Sequence, residues 1–254
     1  MNLHLPASPP QYKSPQQCIR CVTEDWGEEN LYCANCDSDE LTRLKHNTPT
    51  IDFNCPRCKA LFQLKGRKNP IGGTLPDAAY GKMREAVLSG SFPNLLALQY
   101  DADSWKVRNL TLIPNFAFSL SAVKKRPPLR ATAQRHGWVG CNIILSNIPL
   151  DARVHLVYEG MIANPKDVRR QYRRLRPLER LQVEQRGWTL DVLNVVRSLG
   201  KREFDLDEVY ESEAKLAKLH PANRHVQPKI RQQLQILRDI GILEFLGPGQ
   251  YRLR

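Results

Sequence analysis

Four cysteines in two matched pairs are the residues with the clearest chemical meaning in this sequence. Two residues separate Cys33 from Cys36, two separate Cys55 from Cys58, and 18 residues lie between the pairs. Two thiolates on each of two tight turns complete a tetrahedral sulfur cage, which suits a structural Zn²⁺ ion. The spacing therefore predicts one zinc site with these four residues as ligands.

A third cysteine pair, Cys18 and Cys21, has no partner pair of its own. It can compete for the same ion or bind a metal together with His46, but it lies in an amphipathic helical stretch that runs to Trp26. We therefore favour a packing role without metal. Cys141 lies in a predicted strand, and we expect it in the core.

The second zinc-type pair is also the turn of a predicted β-hairpin. Ile51–Asn54 leads into this turn and Ala60–Lys65 leaves it. Alternation along the second strand puts Gln63 and Lys65 on one face, and closure of the hairpin folds Asp52 back beside Gln63. A carboxylate, a carboxamide and an ammonium group are thus predicted to share one surface.

Asp52, Gln63 and Lys65 are accordingly the predicted catalytic residues for phosphodiester hydrolysis. Asp52, Gln63 and the Leu64 backbone carbonyl offer the oxygen ligands that a catalytic Mg²⁺ or Mn²⁺ ion prefers. Lys65 would hold the attacking water and offset charge on the phosphate. The alternative is a surface hairpin whose polar residues simply face water.

The pattern from Pro49 through Asp52 to Gln63-x-Lys65 resembles the PD-(D/E)xK nuclease signature. It departs from that signature at Gln63, where an acid is usual. An amide oxygen binds Mg²⁺ without contributing charge, so we expect the site to be active but to need more metal.

The composition favours a polyanionic partner. The net charge is +12, and each phosphate that a basic side chain neutralises releases condensed counterions. A basic protein without such a partner is the alternative. The sequence carries no apolar run of about 18 residues and no secretion signal at its beginning, so we expect a cytosolic address.

Mixed helices and strands predict an α+β fold with two domains, residues 1–182 and residues 183–254. Residues 1–17 are expected to form an extended arm. Asp77 and Gly90 are predicted to cap the two ends of a helix. The basic segment Lys166–Arg180 is expected to connect the domains and to be helical in part. The predicted strands are Leu95–Tyr100, Asn109–Ile113, Cys141–Leu145 and Arg153–Tyr158.

The last 70 or so residues predict three helices followed by a β-hairpin, which is the order of a winged helix-turn-helix. Trp188–Leu199 has helical spacing, Asp205–Leu219 is a second helical segment, and Asn223 is a plausible cap of the third. Ile242–Leu246 and Gln250–Leu253 flank a Gly-Pro-Gly turn.

The chain resembles the DpnI family of methyl-directed (type IIM) restriction enzymes over nearly its whole length. The similar stretches keep the same order and are Thr23–Trp26, Tyr32–Cys36, Asp52 with Leu64-Lys65, Gly137–Ile143, Arg186–Thr189 and Lys229–Asp239. The resemblance implies a PD-(D/E)xK nuclease domain with bound zinc, followed by a winged helix. It also implies a prokaryotic monomer that needs Mg²⁺ and cuts double-stranded DNA at GATC when the adenine is N6-methylated.

Two regions are candidates for contact with DNA. Trp138 lies between glycines, beside Arg135 and His136, and is either a base-contacting or a core tryptophan. His136 can also be considered as a general base, but we rank it below Lys65 with a metal. The third predicted helix should enter the major groove, and its polar candidates are Asn223, Arg224, His225, Gln227, Lys229, Arg231, Gln232 and Gln235.

Two other functions remain open at this stage. One is a regulator that binds methylated DNA without cutting it, because the site with Gln63 is inactive. The other is a nuclease of different specificity, such as a mismatch or repair enzyme. Digestion of methylated and unmethylated DNA separates the three.

Overall fold

The structure is a computed structural model that describes residues 1–7, 14–45 and 50–254. His46 and Pro49, which enter the interpretation above, lie outside the described residues. The helices are α1 (Pro15–Asn30), α2 (Tyr80–Ser89), α3 (Pro165–Leu175), α4 (Val183–Ser198), α5 (Leu206–Tyr210), α6 (Glu213–Leu219) and α7 (Val226–Asp239). The strands are β1 (Thr42–Arg43), β2 (Phe53–Asn54), β3 (Leu61–Arg67), β4 (Thr74–Ala79), β5 (Asn94–Asp101), β6 (Lys106–Ile113), β7 (Val123–Lys125), β8 (Gly140–Ile144), β9 (Val154–Tyr158), β10 (Met161–Ile162), β11 (Glu203–Asp205), β12 (Leu243–Gly247) and β13 (Gln250–Leu253).

A mixed sheet forms the centre of the first part of the chain. Within the described ranges its strand order is β1-β2-β3-β5-β6-β9-β10, with β3 and β5 parallel and the other neighbours antiparallel. Helix α1 packs against β3, and α3 packs against β9. The predicted hairpin is confirmed, because β2 pairs antiparallel with β3 through Phe53 and Phe62.

A smaller antiparallel sheet with the order β4-β8-β7 lies beside the central one. The four strands predicted from sequence correspond to β5, β6, β8 and β9. The predicted cap at Asp77 is wrong, because Asp77 lies inside β4 and α2 begins after Ala79. Gly90 does end α2, in the left-handed conformation that glycine adopts without strain (φ 70°).

The last part of the chain has the predicted winged-helix order, with three corrections. The predicted second helix is two shorter helices, α5 and α6, and β11 precedes them, so the wing sheet has the order β11-β13-β12. Asp205 begins α5 through a capping box with Glu208. Asn223 does not cap α7; its side chain accepts a hydrogen bond from the His225 backbone at 2.7 Å, and the helix begins one residue later.

Helix α4 joins the two parts of the molecule. The buried Asp191 accepts a hydrogen bond from Ser121 at 2.6 Å and pairs with His220 at 2.8 Å. Further along the same helix, Arg197 forms an ion pair with Asp151. Helix α7 packs on α4 in turn, so α4 contacts both the central domain and the helix predicted to read DNA.

The ends of the first domain differ in part from expectation. Leu5 is buried and His4 forms a β-bridge with Lys106, whereas α1 already begins at Pro15, inside the predicted extended arm. The basic connector is α3 followed by a short 3₁₀ turn at Arg176–Arg180, as expected. Across the part of the chain that the structure describes, every helix is too short or too polar to cross a bilayer.

Candidate functional site

The four predicted zinc ligands come together in one cluster. All four sulfur atoms lie within 4.8 Å of one another, with 3.6 Å between Cys33 and Cys58 and 3.5 Å between Cys36 and Cys55. A tetrahedral ion with Zn–S bonds of about 2.3 Å places its sulfurs about 3.8 Å apart. The sulfur donors and their spacing therefore fit a structural Zn²⁺ ion.

Backbone groups and α3 hold this cluster in place. Burial raises the pKa of the Cys55 thiol, but hydrogen bonds from the backbone of Cys58 and Arg57 outweigh it and bring the pKa to about 6. Arg169 of α3 donates to the Cys33 carbonyl at 3.1 Å and lies over the Tyr32 ring. The cluster is thus attached to α3 as well as to its hairpin.

The third cysteine pair lies apart from this cluster. Cys21 is buried on α1 and Cys18 is half-buried one turn earlier. Among the described residues, the grouping of metal-type side chains comprises the four zinc-type cysteines alone. A packing role for the pair on α1 stays a prediction.

Asp52 immediately precedes β2 and reaches across to β3. Its Oδ2 accepts a hydrogen bond from the Leu64 backbone N–H at 2.8 Å. Burial raises the pKa of Asp52, and nearby Glu24 adds to the rise, while the Leu64 N–H, Arg20 and Lys65 act in the opposite direction. A carboxylate that carries this desolvation cost gains from a bound cation.

Helix α1 contributes three charged groups that the sequence interpretation missed. Arg20 lies 3.4 Å from the Asp52 carboxylate and pairs with Glu24 at 2.5 Å. Glu24 is buried and also pairs with Arg43 at 2.7 Å. Glu24 and Asp25 fall in a stretch that carries the family resemblance, which was the one signal for them.

Gln63 lies on β3 next to the Asp52 contact and is only 7% exposed. Its Oε1 is buried and, within the described part of the chain, has no hydrogen-bond partner. An amide oxygen in this condition is suited to accept a ligand bond. Strand alternation puts Gln63 and Lys65 on the same face of β3.

Lys65 forms an ion pair that was not expected from sequence. Its Nζ lies 2.7 Å from Oδ1 of Asp77, whose side chain is only 2% exposed. The lysine side chain itself is 24% exposed, so its ammonium group is reachable from solvent. From sequence alone, Asp77 had only the signal of a plausible helix cap.

A cleft of about 560 Å³ opens beside these groups, between α1, β3 and β4. Its basic lining residues are Arg20, Lys65, Arg67 and Lys68, and Leu64 also lines it. The N–H and C=O of one strand residue point to the same side, so the Leu64 carbonyl faces the Asp52 side of β3 as its N–H does. The cleft thus brings positive charge beside the hairpin that carries Asp52 and Gln63.

The predicted DNA-contacting loop is partly folded onto itself. Trp138 is half-buried, and a Cβ atom at Gly140 would lie 2.6 Å from the Trp138 ring. The guanidinium of Arg135 lies 5.1 Å from the same ring. Trp138 is therefore not a fully buried core residue, while Arg135 and His136 are exposed.

The polar candidates on and before α7 are all exposed or half-buried, on the side away from the core residues Ile230, Leu234 and Leu237. Two of them are already in contact with the preceding helices. Gln227 donates to Glu213 at 2.8 Å, and Arg231 donates to the Tyr210 hydroxyl and lies over its ring.

Two family models match the chain. One, described as the Dam-replacing family (DpnI), matches residues 1–181. The other, described as the Dam-replacing HTH domain, matches residues 184–253. The first match alone covers more than half of the sequence, including the cysteine cluster, Asp52, Lys65 and the cleft.

Proposed function

The chain belongs to the Dam-replacing (DpnI) family, and from this premise we propose that it is a restriction endonuclease for adenine-N6-methylated GATC sites in double-stranded DNA. The family implies methylation-dependent restriction; the sequence GATC and the need for Mg²⁺ or Mn²⁺ are our proposals. The observation that carries them is the Asp52 carboxylate held against the Leu64 N–H, on the hairpin that also carries Gln63 and Lys65 and beside a basic cleft that Leu64 and Lys65 line.

In the proposed reaction, Asp52, the Gln63 amide oxygen and the Leu64 carbonyl hold the catalytic ion. This Mg²⁺ or Mn²⁺ ion supplies Lewis acidity toward the scissile phosphate and toward a bound water. Lys65 orients the attacking water and offsets the negative charge that builds up on the phosphate. Arg67 and Lys68, farther along the cleft, bind the phosphates of the DNA backbone.

We assign the zinc-type cluster a structural role. Because Cys55 and Cys58 form the turn between β2 and β3, a Zn²⁺ ion at this turn fixes the register of the hairpin. The register determines where Asp52 meets β3. The ion thereby sets the geometry of the catalytic residues without contacting DNA.

We propose that residues 1–182 form the nuclease domain and residues 183–254 the winged-helix domain, and that both read methylation as a monomer. N6-methyladenine keeps one N6–H donor and places a methyl group in the major groove. Burying that methyl contributes about 0.8 kcal/mol, so discrimination needs contacts with both adenines of the site. Trp138 offers an apolar surface, and Arg224, Gln232 and their neighbours offer hydrogen bonds to base edges.

One observation favours a second candidate, a regulator that binds methylated DNA without cutting it. Gln63 replaces the usual acid of the signature, so the ion faces one carboxylate at the predicted ligands instead of two. A regulator keeps the fold and the basic cleft while losing hydrolysis. Cleavage assays separate the two candidates.

The test uses the zinc-loaded full chain with plasmid DNA from adenine-methylating and non-methylating hosts, in Mg²⁺ and in Mn²⁺. We expect cleavage of the methylated plasmid alone, and its loss in Asp52→Ala. Asp103→Ala is the matched control, because Asp103 is exposed in the turn between β5 and β6. Binding without cutting in every metal would support the regulator, and cutting that ignores methylation would support a nuclease of different specificity.

A further inference from the structure

Asp77 is a buried carboxylate beside the proposed catalytic lysine, and neither the family match nor the sequence pattern assigns it a role in catalysis or metal binding. Its side chain is 2% exposed. Oδ1 accepts the Ala78 backbone N–H at 2.8 Å and pairs with Lys65 Nζ at 2.7 Å. Within the described ranges, Oδ2 is buried and has no hydrogen-bond partner.

Gln63, which lies on the same face of β3 as Lys65, shows the same feature as Asp77. Its Oε1 is also buried without a partner among the residues that the structure describes. A buried oxygen that lacks a donor destabilises the fold. One such oxygen belongs to the carboxylate that pairs with Lys65, and the other belongs to the residue two positions before Lys65 on the same face of β3. Both are hard donors of the kind that divalent cations bind.

The proposed metal site has little negative charge among its predicted ligands. Asp52 is the one carboxylate among the predicted ligands, and Arg20 and Lys65 bring positive charge close to it. A single carboxylate binds a divalent cation weakly when the positively charged side chains of Arg20 and Lys65 lie nearby. An additional carboxylate restores the charge that an acid at position 63 would have supplied.

We propose that Asp77 is the second carboxylate of the divalent-cation site. Its Oδ2 binds Mg²⁺ or Mn²⁺ together with Asp52 and the Gln63 amide, while its Oδ1 keeps Lys65 in position. The proposal deepens the proposed function and rests on it for the location of the metal. The contrasting role for Asp77 is a purely structural ion pair that ties β4 to β3.

The experiment measures Mn²⁺ binding to the zinc-loaded full chain by electron paramagnetic resonance, without DNA. Asp77→Asn keeps the shape of the side chain and removes its charge, and we expect it to weaken Mn²⁺ binding at least about tenfold, as Asp52→Asn should. Asp103→Asn should leave binding unchanged. Adding Gln63→Glu to Asp77→Asn should restore much of the lost affinity, because it returns one carboxylate to the site.

A purely structural pair predicts a different pattern. In that case Asp77→Asn lowers the melting temperature but binds Mn²⁺ like the wild type, and Gln63→Glu rescues nothing; this result overturns the proposal. If Asp77→Asn does not fold, the comparison moves to Lys65→Met with and without Asp77→Asn, since removing both members of a buried pair is often tolerated. Equal Mn²⁺ affinity in these two proteins also overturns it.

The metal measurement separates this inference from the proposed function. A wild type that binds Mn²⁺ through Asp77 but cuts no DNA refutes the nuclease and keeps the metal site. If the wild type cuts methylated DNA while Asp77→Asn binds Mn²⁺ normally, the nuclease function stands and the metal-binding role of Asp77 is refuted.

Discussion

The contact between Gly66 of β3 and Thr23 of α1 offers a direct test of how the site is positioned. A Cβ atom at Gly66 would lie 2.7 Å from Thr23 Cγ2 and 3.1 Å from its hydroxyl. Thr23 is buried, so it has little room to retreat. Gly66→Ala must therefore push α1 away from the strand that carries Gln63 and Lys65.

The expected cost follows from this overlap. Overpacking by one methyl group in a buried contact costs about 1–3 kcal/mol in the free energy of unfolding. For a chain of this size each kcal/mol lowers the melting temperature by about 2–4 °C. Because α1 also carries Arg20, which contacts Asp52, we expect the rate of DNA cleavage to fall as well.

The assay combines thermal unfolding with cleavage in three variants and one control. Thr23→Ala removes both close atoms and leaves Cβ at 3.4 Å, an ordinary contact, so Gly66→Ala should cost little in that background. Gly72→Ala is the control, since within the described residues no heavy atom lies within 4 Å of the added Cβ. If Gly66→Ala destabilises the Thr23→Ala protein as much as the wild type, the reasoning is refuted.

Four further predictions concern the metals, the charge of Asp52 and the DNA. Gln63→Glu should lower the Mg²⁺ concentration for half-maximal cleavage, because it adds a carboxylate to the site; an unchanged concentration contradicts the ligand role. Burial raises the pKa of Asp52, so ionisation of this carboxyl destabilises the fold as pH rises through the raised value. Without added Mg²⁺, Asp52→Asn should therefore raise the melting temperature at pH 7. This gain should vanish below about pH 4, where the carboxyl is protonated in the folded and the unfolded state. A gain that is the same at every pH would count against this explanation. Cys55→Ser should abolish bound zinc in a metal analysis while Cys141→Ser retains it, and equal zinc in both would exclude the cluster as the site. Arg224→Ala should reduce the salt dependence of DNA binding by about one phosphate contact, whereas an identical slope would remove Arg224 from the interface.

Local patterns predicted the parts of the site that depend on neighbours in sequence. The matched cysteine spacing and the alternation from Ala60 to Lys65 are enough to predict the hairpin, because turn and strand periodicity are local properties. The same holds for the apolar face of α7, which follows helical spacing.

The parts that depend on distant strands were not predictable in this way. Asp77 meets Lys65 because β4 pairs with β8, over 60 residues away, and not because of anything near Asp77 in sequence. Aspartate is a common N-cap residue, so its position before a helix predicts a cap. The ion pair between Asp77 and Lys65 becomes apparent only when the fold brings β3 and β4 together. The start of α5 has a local signal, since Asp205 and Glu208 form a capping box there.

The contacts of α4 have a consequence for how a duplex is engaged. Asp191 and Arg197 attach this helix to the central domain, and α7 packs on it, so we expect the proposed groove-reading surface and the proposed hydrolytic cleft to keep a constant offset. A constant offset would fix the distance along the DNA between the base contacts and the cleaved bond. Any difference between that length and the repeat of straight B-form DNA must then be absorbed by bending the duplex, and flexible steps flanking the recognition sequence would influence the efficiency of cleavage.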